Sequence, residues 1–376
     1  MPDFNRNSVA ESVPLRDVER TLSRKLKETD EPGSGPVQRA RMSNLVVYCD
    51  SDAGAAEVET QIPEIVLIHP ARVLLVVAVP GEDSGPLDAS VLVRREGSKH
   101  RQASEQVTLR ASGQSVSHLP FAVRELLIGD LPTNLWWTSH TPPPLASPLL
   151  FELAEYAQQL LYDSVGWIDP NRGVAATDAW LDRFEREGDR RGGWRVASDL
   201  NWRRLKYWRR LLTEGLSPAS APGVLDSIAS VRIEHGPHSV TQAWEIAGWL
   251  ASRLGWRLRS GQLKSAEELV LSLAANHGEL QLHMIRRPEG PPSIRLIRVA
   301  CSGPNCADAL SFKADDDQSR LSVTPESEET KARTVAQAPT GLAELVGRQL
   351  SDREPDPVFR EAMKQAGLLA RTLRGR

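Results

Sequence analysis

The pattern of apolar and polar positions predicts an α/β unit near the start of the chain. Residues 45–49 and 72–79 are apolar runs rich in β-branched side chains, which is typical of buried strands. The stretch between them, residues 53–68, has the composition of a helix, although Pro63 lies inside it. A strand, a helix and a second strand in this order indicate the beginning of an α/β sheet.

The next part of the chain alternates between apolar and polar positions. Residues 90–95 and 105–110 do so, as half-exposed antiparallel strands do, so the first sheet is predicted to be mixed. Further elements are predicted by length and periodicity. They are helices at 115–128, 149–161 and 178–187, the last capped by Thr177, and strands at 134–137 and 165–168.

A break rich in Ser, Pro and Ala at residues 217–223 is the predicted domain boundary. Residues 227–234 then read as a strand and 241–254 as a helix, with Ser239 as its N-cap and Gly255 as a left-handed C-cap. Four short strands follow, joined by turns, which predicts an antiparallel meander. They span residues 268–274, 279–286, 293–300 and 309–314.

The predicted fold class is an α/β N-terminal domain with a mixed sheet, followed by an α+β C-terminal domain with an antiparallel meander. The boundaries follow the changes in composition. They give a polar arm at 1–43, the α/β domain at 44–216, the α+β domain at 224–314, a polar flexible segment at 315–339 and closing helices at 340–376.

The most informative stretch is residues 199–212. Trp202, Leu205, Trp208 and Leu212 recur at helical spacing, and Asp199 is the predicted N-cap. Residues 190–210 contain eight cationic side chains and one acidic side chain. Two interpretations remain open: a solvated basic face above a core stripe, or a docking face with Trp and Arg anchors.

Tryptophan is concentrated in the middle of the chain. All ten Trp residues lie between positions 136 and 256. Trp136 and Trp137 end a predicted strand, where alternation sends one ring to each face of the sheet. One of them is therefore a candidate for an exposed contact. The alternative is a core Trp beside a rigid Pro turn.

The stretch D-L-N-W-x-R-L-x-x-W-R from Asp199 resembles the central motif of the OpcA family of glucose-6-phosphate dehydrogenase assembly proteins. Three further stretches resemble the same family in the same order: H-P-A-R-V from His69, D-L-P-T-N-L-W-W from Asp130, and I-E-H-G followed by A-G-W-L-A-S-R-L-G-W up to Trp256. Together they span residues 45–256.

The resemblance implies a non-catalytic protein of the pentose phosphate pathway, while the polar N-terminus and the odd count of three cysteines favour a cytoplasmic location. Such a protein acts as an allosteric effector that binds glucose-6-phosphate dehydrogenase and promotes its active oligomeric form. The residues of this chain that we expect to contact the partner are Trp136, Trp137, Trp202, Arg203, Arg204, Trp208, Arg209 and Arg210.

Motifs of catalysis and cofactor binding are not found in the sequence. There is no G-x-G-x-x-G, no phosphate-binding G-x-x-x-x-G-K-[ST] and no G-x-S-x-G. Asp199 and Glu234 are the only carboxylates considered for acid–base chemistry, and capping or strand-end positions explain both. We therefore expect no enzyme activity, cofactor or metal. The alternative is an enzyme or sensor that binds a sugar phosphate or nucleotide through the Arg cluster.

Charge and cysteine content narrow the choice of partners further. A net charge of -3 argues against a nucleic-acid binder, and the longest apolar run, residues 73–79, is too short to span a bilayer.

Cys301 and Cys306 flank a Gly/Pro turn, so they are a candidate redox pair; the alternative is two incidental thiols. His235 and His238 read as loop or cap residues rather than metal ligands.

Overall fold

The computed structural model describes residues 10–28, 41–96, 102–190, 195–302, 309–326, 333–337 and 340–374. These residues form two eight-stranded sheets with helices packed against them. Both sheets contain parallel and antiparallel pairs. The predicted α/β layout with a mixed sheet is confirmed.

The first sheet has a parallel centre and an antiparallel edge. Its strands are β1 (Glu11–Val13), β2 (Ser43–Cys49), β3 (Ala71–Val79), β4 (Asp88–Glu96), β5 (Gln102–Ser112), β6 (Thr133–Trp137), β7 (Gln159–Tyr162) and β8 (Val196–Asp199). The order in space is β1-β4-β5-β3-β2-β6-β7-β8. The six parallel strands β5-β3-β2-β6-β7-β8 thus follow the doubly wound order 3-2-1-4-5-6, whose switch point lies between β2 and β6.

The second sheet has a central strand that the predicted meander lacks. Its strands are β9 (Ile228–His235), β10 (Arg257–Leu263), β11 (Glu268–Ala275), β12 (Gly278–Arg286), β13 (Ile294–Cys301), β14 (Ala309–Ala314), β15 (Arg320–Pro325) and β16 (Arg333–Ala336). β9 lies between β12 and β13, parallel to the first and antiparallel to the second. The continuous meander is therefore corrected to two antiparallel runs. Val231 and Ile233 of β9 are fully buried, which a central position provides.

The helices cover the sheets and join the two halves. They are α1 (Val18–Glu28), α2 (Asp52–Ile68), α3 (Leu119–Leu126), α4 (Leu149–Leu153), α5 (Pro170–Arg190), α6 (Leu200–Arg204), α7 (Lys206–Gly215), α8 (Val240–Leu254), α9 (Leu342–Ser351) and α10 (Pro357–Arg371). α9 packs on α2, whereas α10 packs on both α5 and α8. Within the described ranges, no helix is long and apolar enough to cross a membrane.

Several local predictions need correction. The predicted helix at 149–161 stops at Leu153, because the following apolar residues pair as β7 between β6 and β8. The predicted strand at 165–168 is a turn around Gly166, which has a φ of 74°. Thr177 lies inside α5, where its hydroxyl donates to the carbonyl of Gly173 at 2.8 Å. The polar segment 315–339, predicted to be flexible, contains the strands β15 and β16.

The capping residues at the two ends of α8 were both predicted from the local sequence. Gly255 has a left-handed φ of 67° and ends the helix, as predicted. Ser239 does not cap α8 through its side chain, since its hydroxyl donates to the carbonyl of Gly236 at 2.8 Å. The Ser239 position at the helix start is correct, but the predicted capping bond is replaced by a turn contact.

Candidate functional site

The central segment, residues 199–215, connects the last strand of the first sheet to two short helices. Asp199 ends β8, and its Oδ1 accepts a 2.9 Å hydrogen bond from the amide of Asn201, so the predicted N-cap is confirmed. The predicted single helix is divided into α6 and α7. Leu205, with a ψ of 0°, separates the two helices, although its amide still reaches the carbonyl of Asn201 at 3.0 Å.

All four tryptophans expected to contact a partner are buried in this chain. Trp202 is 6% exposed, and Trp136, Trp137 and Trp208 are each 2% exposed. Trp137 stacks on Tyr48 with ring centroids 3.9 Å apart. The alternation of Trp136 and Trp137 is as predicted, because they enter different core clusters. All four rings are core residues, which is the alternative that the sequence left open, and their contact with a partner stays a prediction.

Three of the predicted arginines brace the fold. Arg204 donates to both carboxylate oxygens of Asp163 at 2.7 Å. The Arg209 guanidinium lies 3.5 Å from the ring centroid of Trp202, and burial lowers the pKa of Arg209 to about 10. Arg203 donates to the side chain of Gln349 and forms an ion pair with the carboxylate that follows α9.

Two cationic side chains of α7 face solvent. Arg210 is exposed and forms an ion pair with Glu214 one turn later, at 2.7 Å. Lys206 is also exposed and has no ion pair among the residues described. Of the arginines predicted to contact a partner, Arg210 is therefore the most accessible one, while Lys206 was not included in that prediction.

A groove with a volume of about 220 Å³ lies beside the central segment, between α6–α7 and loops of the second sheet. Its lining includes four cations and no Asp or Glu. We call it the basic groove and define it by the residues Arg203, Arg204, Lys206, Tyr207, Gln242, Ser293, Gln318, Gln337 and Arg348. Arg203, Arg204 and Lys206 lie close together in the sequence, whereas Arg348 and the glutamines come from distant segments.

A carboxyl pair lies in the core behind the central segment. Asp199 is 4% exposed and Glu245 of α8 is 1% exposed. Burial, followed by the charge of Asp163, raises the pKa of Asp199 to about 7. Burial and the charge of Asp199 raise the pKa of Glu245 well above its ordinary value. The sequence signal for Glu245 was its position as the only acidic residue of a predominantly apolar helix.

The other residues considered for acid–base chemistry or metal binding, Glu234 and His235, have structural partners. Hydrogen bonds from Arg287 and the charge of Arg232 outweigh burial and lower the pKa of Glu234. His235 is buried, and its Nδ1 lies 2.8 Å from the Gly236 carbonyl. No group of three or more His, Cys, Asp and Glu side chains in the described part of the chain is arranged to hold a metal ion.

The candidate redox pair cannot be located as a pair. Cys301 lies at the end of β13 and is partly buried. Cys306 lies outside the described residues. The third cysteine, Cys49, is buried, and this burial raises the pKa of its thiol to about 11, which makes it unreactive.

The switch point of the first sheet is where this strand order places a dinucleotide. The residues after β2 are Asp50, Ser51 and Asp52, in place of a glycine-rich turn. Asp50 accepts a 2.6 Å hydrogen bond from Ser139, and Asp52 forms a two-bond ion pair with Arg110. Carboxylates at the start of α2 repel the phosphates that a helix N-terminus would otherwise attract, so these residues do not fit a dinucleotide.

Two family models match the chain. The model described as the glucose-6-phosphate dehydrogenase subunit N-terminal domain matches residues 63–179, and the model described as the C-terminal domain of that subunit matches residues 195–363. A relative from Nostoc punctiforme, provisionally named OxPP cycle protein OpcA, is 30% identical over 207 residues. The match covers 54% of this chain and 42% of the relative, which is less than half of the relative's length.

Solved structures share the fold at low identity. A protein from Parabacteroides merdae, provisionally named an oxidoreductase, matches with a TM-score of 0.53 at 8% identity, over 89% of this chain and 98% of that chain. A super-repressor mutant of Gal80p from Saccharomyces cerevisiae matches with a TM-score of 0.50 at 10% identity, over 90% and 98%. Because one is named an oxidoreductase and the other a repressor, the likeness describes the fold and not the activity.

Proposed function

Because the chain belongs to the OpcA family of glucose-6-phosphate dehydrogenase assembly proteins, we propose that it binds glucose-6-phosphate dehydrogenase and promotes the active oligomeric form of that enzyme. The observation that carries the proposal is the extent of the family match. The two models cover residues 63–179 and 195–363, which include most strands of the first sheet, all of the second sheet and the central segment.

A non-catalytic role is consistent with the chemistry of the described residues. Asp199 caps α6 in the core, and Glu234 is held by two arginines. The switch point carries Asp50 and Asp52 instead of a phosphate cradle. The protein would then act by binding the active state of the enzyme more tightly than its inactive state, since only such a difference shifts an equilibrium.

The accessible part of the central segment is the docking surface that we propose. It consists of the exposed cations Lys206 and Arg210 on α7. Cations on an exposed helix contribute to steering and to pairing with carboxylates of a partner. The buried Trp202 and Trp208 contribute indirectly, because they fix the position of the helix from below.

The test is size-exclusion chromatography with light scattering of a mixture of this protein and the glucose-6-phosphate dehydrogenase of the same organism. We expect co-elution and a larger enzyme oligomer. The double variant Lys206→Glu, Arg210→Glu should weaken co-elution, because both changes replace a cation with an anion at the docking surface. Arg257→Glu, at an exposed position on β10, is the matched control.

Separate elution of the two wild-type proteins would contradict the proposed function. Normal co-elution of the double variant would leave the partner role standing and move the docking surface away from α7. Circular dichroism of each variant verifies that the charge reversals leave the fold intact.

A further inference from the structure

We propose that the basic groove binds a phosphorylated sugar. The lining of the groove is positively charged: it includes four cations and no acidic residue. Lys206 contributes an exposed ammonium group that lacks an ion pair among the described residues. Guanidinium and ammonium groups of this kind form strong, charge-assisted hydrogen bonds with phosphate oxygens.

Carboxylates outside the groove pair with the arginines of its lining. Arg203 forms an ion pair with Asp352 at 2.7 Å, and Arg204 forms one with Asp163 at the same distance. Arg348 pairs with a carboxylate one turn earlier in α9. None of these carboxylates lines the groove. The side chains are therefore fixed in place while the groove itself stays cationic, which is how binding groups are preorganised.

The neutral residues of the groove lining include amide side chains that can bond with sugar hydroxyls. Gln337 Oε1 is buried and accepts no hydrogen bond from any described residue, so it is free to accept one from a sugar hydroxyl. Gln318 lines the same groove with a left-handed φ of 58°, a conformation that non-glycine residues adopt mainly at turns and functional sites. Amides and cations together match a molecule with hydroxyls and a phosphate.

The size of the groove limits the ligand. Its volume of about 220 Å³ is below the roughly 300–1,000 Å³ typical of sites for drug-sized ligands, so it suits a sugar monophosphate better than a dinucleotide. The walls come from α6–α7, from the Pro291–Ser293 turn and from α9. A bound sugar phosphate would thus bridge both halves of the chain and stabilise their arrangement.

The test is calorimetric titration of the full chain at low salt with glucose 6-phosphate, which serves as a representative probe. Glucose and inorganic phosphate are titrated in parallel. We expect saturable binding of glucose 6-phosphate, weaker binding of inorganic phosphate and no binding of glucose. Lys206→Ala should raise the Kd about tenfold, the loss of one charge-assisted hydrogen bond. Arg210→Ala is the matched control, because Arg210 is exposed on the same helix but does not line the groove.

A second variant isolates the sugar. Gln337→Leu should raise the Kd for glucose 6-phosphate by roughly threefold to tenfold while leaving the Kd for inorganic phosphate unchanged, since one neutral hydrogen bond is lost. Three results would each overturn the proposal. They are no saturable binding of glucose 6-phosphate below about 1 mM, equal affinity for inorganic phosphate, and a Lys206→Ala variant that binds like Arg210→Ala. Lys206 lines the groove and also belongs to the proposed docking surface, but the titrations use this chain alone, so their outcome does not depend on partner binding.

Discussion

The indole Nε1 of Trp202 donates a 2.7 Å hydrogen bond to Oδ2 of Asp356, which ties the central segment to the start of α10. The other oxygen of the same carboxylate caps α10 by accepting from the amides of Val358 and Phe359 at 2.9 and 3.0 Å. One carboxylate therefore fixes a buried ring and a helix start together, and Trp202 stabilises the junction between segments that are distant in sequence.

Trp202→Ala should lower the free energy of unfolding by about 3–5 kcal/mol, because it leaves a large cavity in the core. Urea denaturation monitored by circular dichroism measures this loss. Ile168→Ala is the control: Ile168 is 78% exposed, and its truncation should change the stability by about 0.5 kcal/mol at most. Equal stabilities of the two variants would show that the Trp202 ring is not part of the core.

Gly248→Ala should destabilise the contact between α8 and α10. A Cβ at this glycine would clash with the carbonyl oxygen of Ala362 and would lie 2.7 Å from the amide nitrogen of Ala366. Both are backbone atoms, so α10 would have to move away, at a cost of about 1–3 kcal/mol or more. Gly129→Ala, with no atom within 4 Å of the added Cβ, should be tolerated. Thermal unfolding of the pair measures the difference, and a stable Gly248→Ala variant would contradict the helix packing.

The carboxyl of Asp199 should make stability fall as the pH rises from about 4 to about 7. Its pKa is about 7 in the folded chain and about 3.9 when unfolded, so the folded state binds the extra proton in this window. The unfolding free energy then decreases by up to about 1.4 kcal/mol per pH unit for this group and becomes constant above its folded pKa. Glu245 contributes with the same sign, because its folded pKa is also raised.

Asp199→Asn separates this effect from all other titrations. The amide oxygen can still accept from Asn201 and Ser164, and the neutral side chain no longer titrates. Relative to the wild type, the variant should gain stability between about pH 5 and 7 and keep a constant difference above that range. Glu354→Gln, at an exposed position, is the control and should follow the wild-type curve. If the unfolding free energy of Asp199→Asn changed with pH in parallel with that of the wild type, Asp199 would be ionised in the core.

The switch point should not take up a nicotinamide dinucleotide. Asp50 and Asp52 place negative charge where the strand order would position the pyrophosphate. We expect no saturable change in NADPH fluorescence on adding the chain, in an assay where the dehydrogenase itself gives a positive signal. Saturable binding of NADPH would show that the two carboxylates leave a usable site.

Much of the first unit follows from local pattern. β2 and β3 are continuous apolar runs, and the Asp199 cap needs only the residue type and the following helix. The position of β9 between β12 and β13 could not be predicted, because strand order depends on pairing between distant segments. The helical stripe of Trp202 and Trp208 was recognised correctly, but periodicity alone does not show whether a stripe meets its own chain or a partner.

The candidate site was predictable only in part for the same reason. The cations of the central segment stand out in the sequence, whereas their partners Asp163 and Asp352 lie 41 and 149 residues away in the chain. These ion pairs determine which cationic side chains stabilise the fold and which remain accessible to a ligand or a partner. Arg204 and Lys206 are neighbours in sequence, yet one is bound to Asp163 and the other faces solvent in the groove.

The most direct test of the central claim is the rate of NADPH formation by the glucose-6-phosphate dehydrogenase of the same organism, titrated with this protein. We expect a saturable rise in rate with wild type and with Arg257→Glu, and a weakened response with the Lys206→Glu, Arg210→Glu variant. An unchanged rate at every concentration of the wild-type chain would contradict the proposed role as an assembly protein.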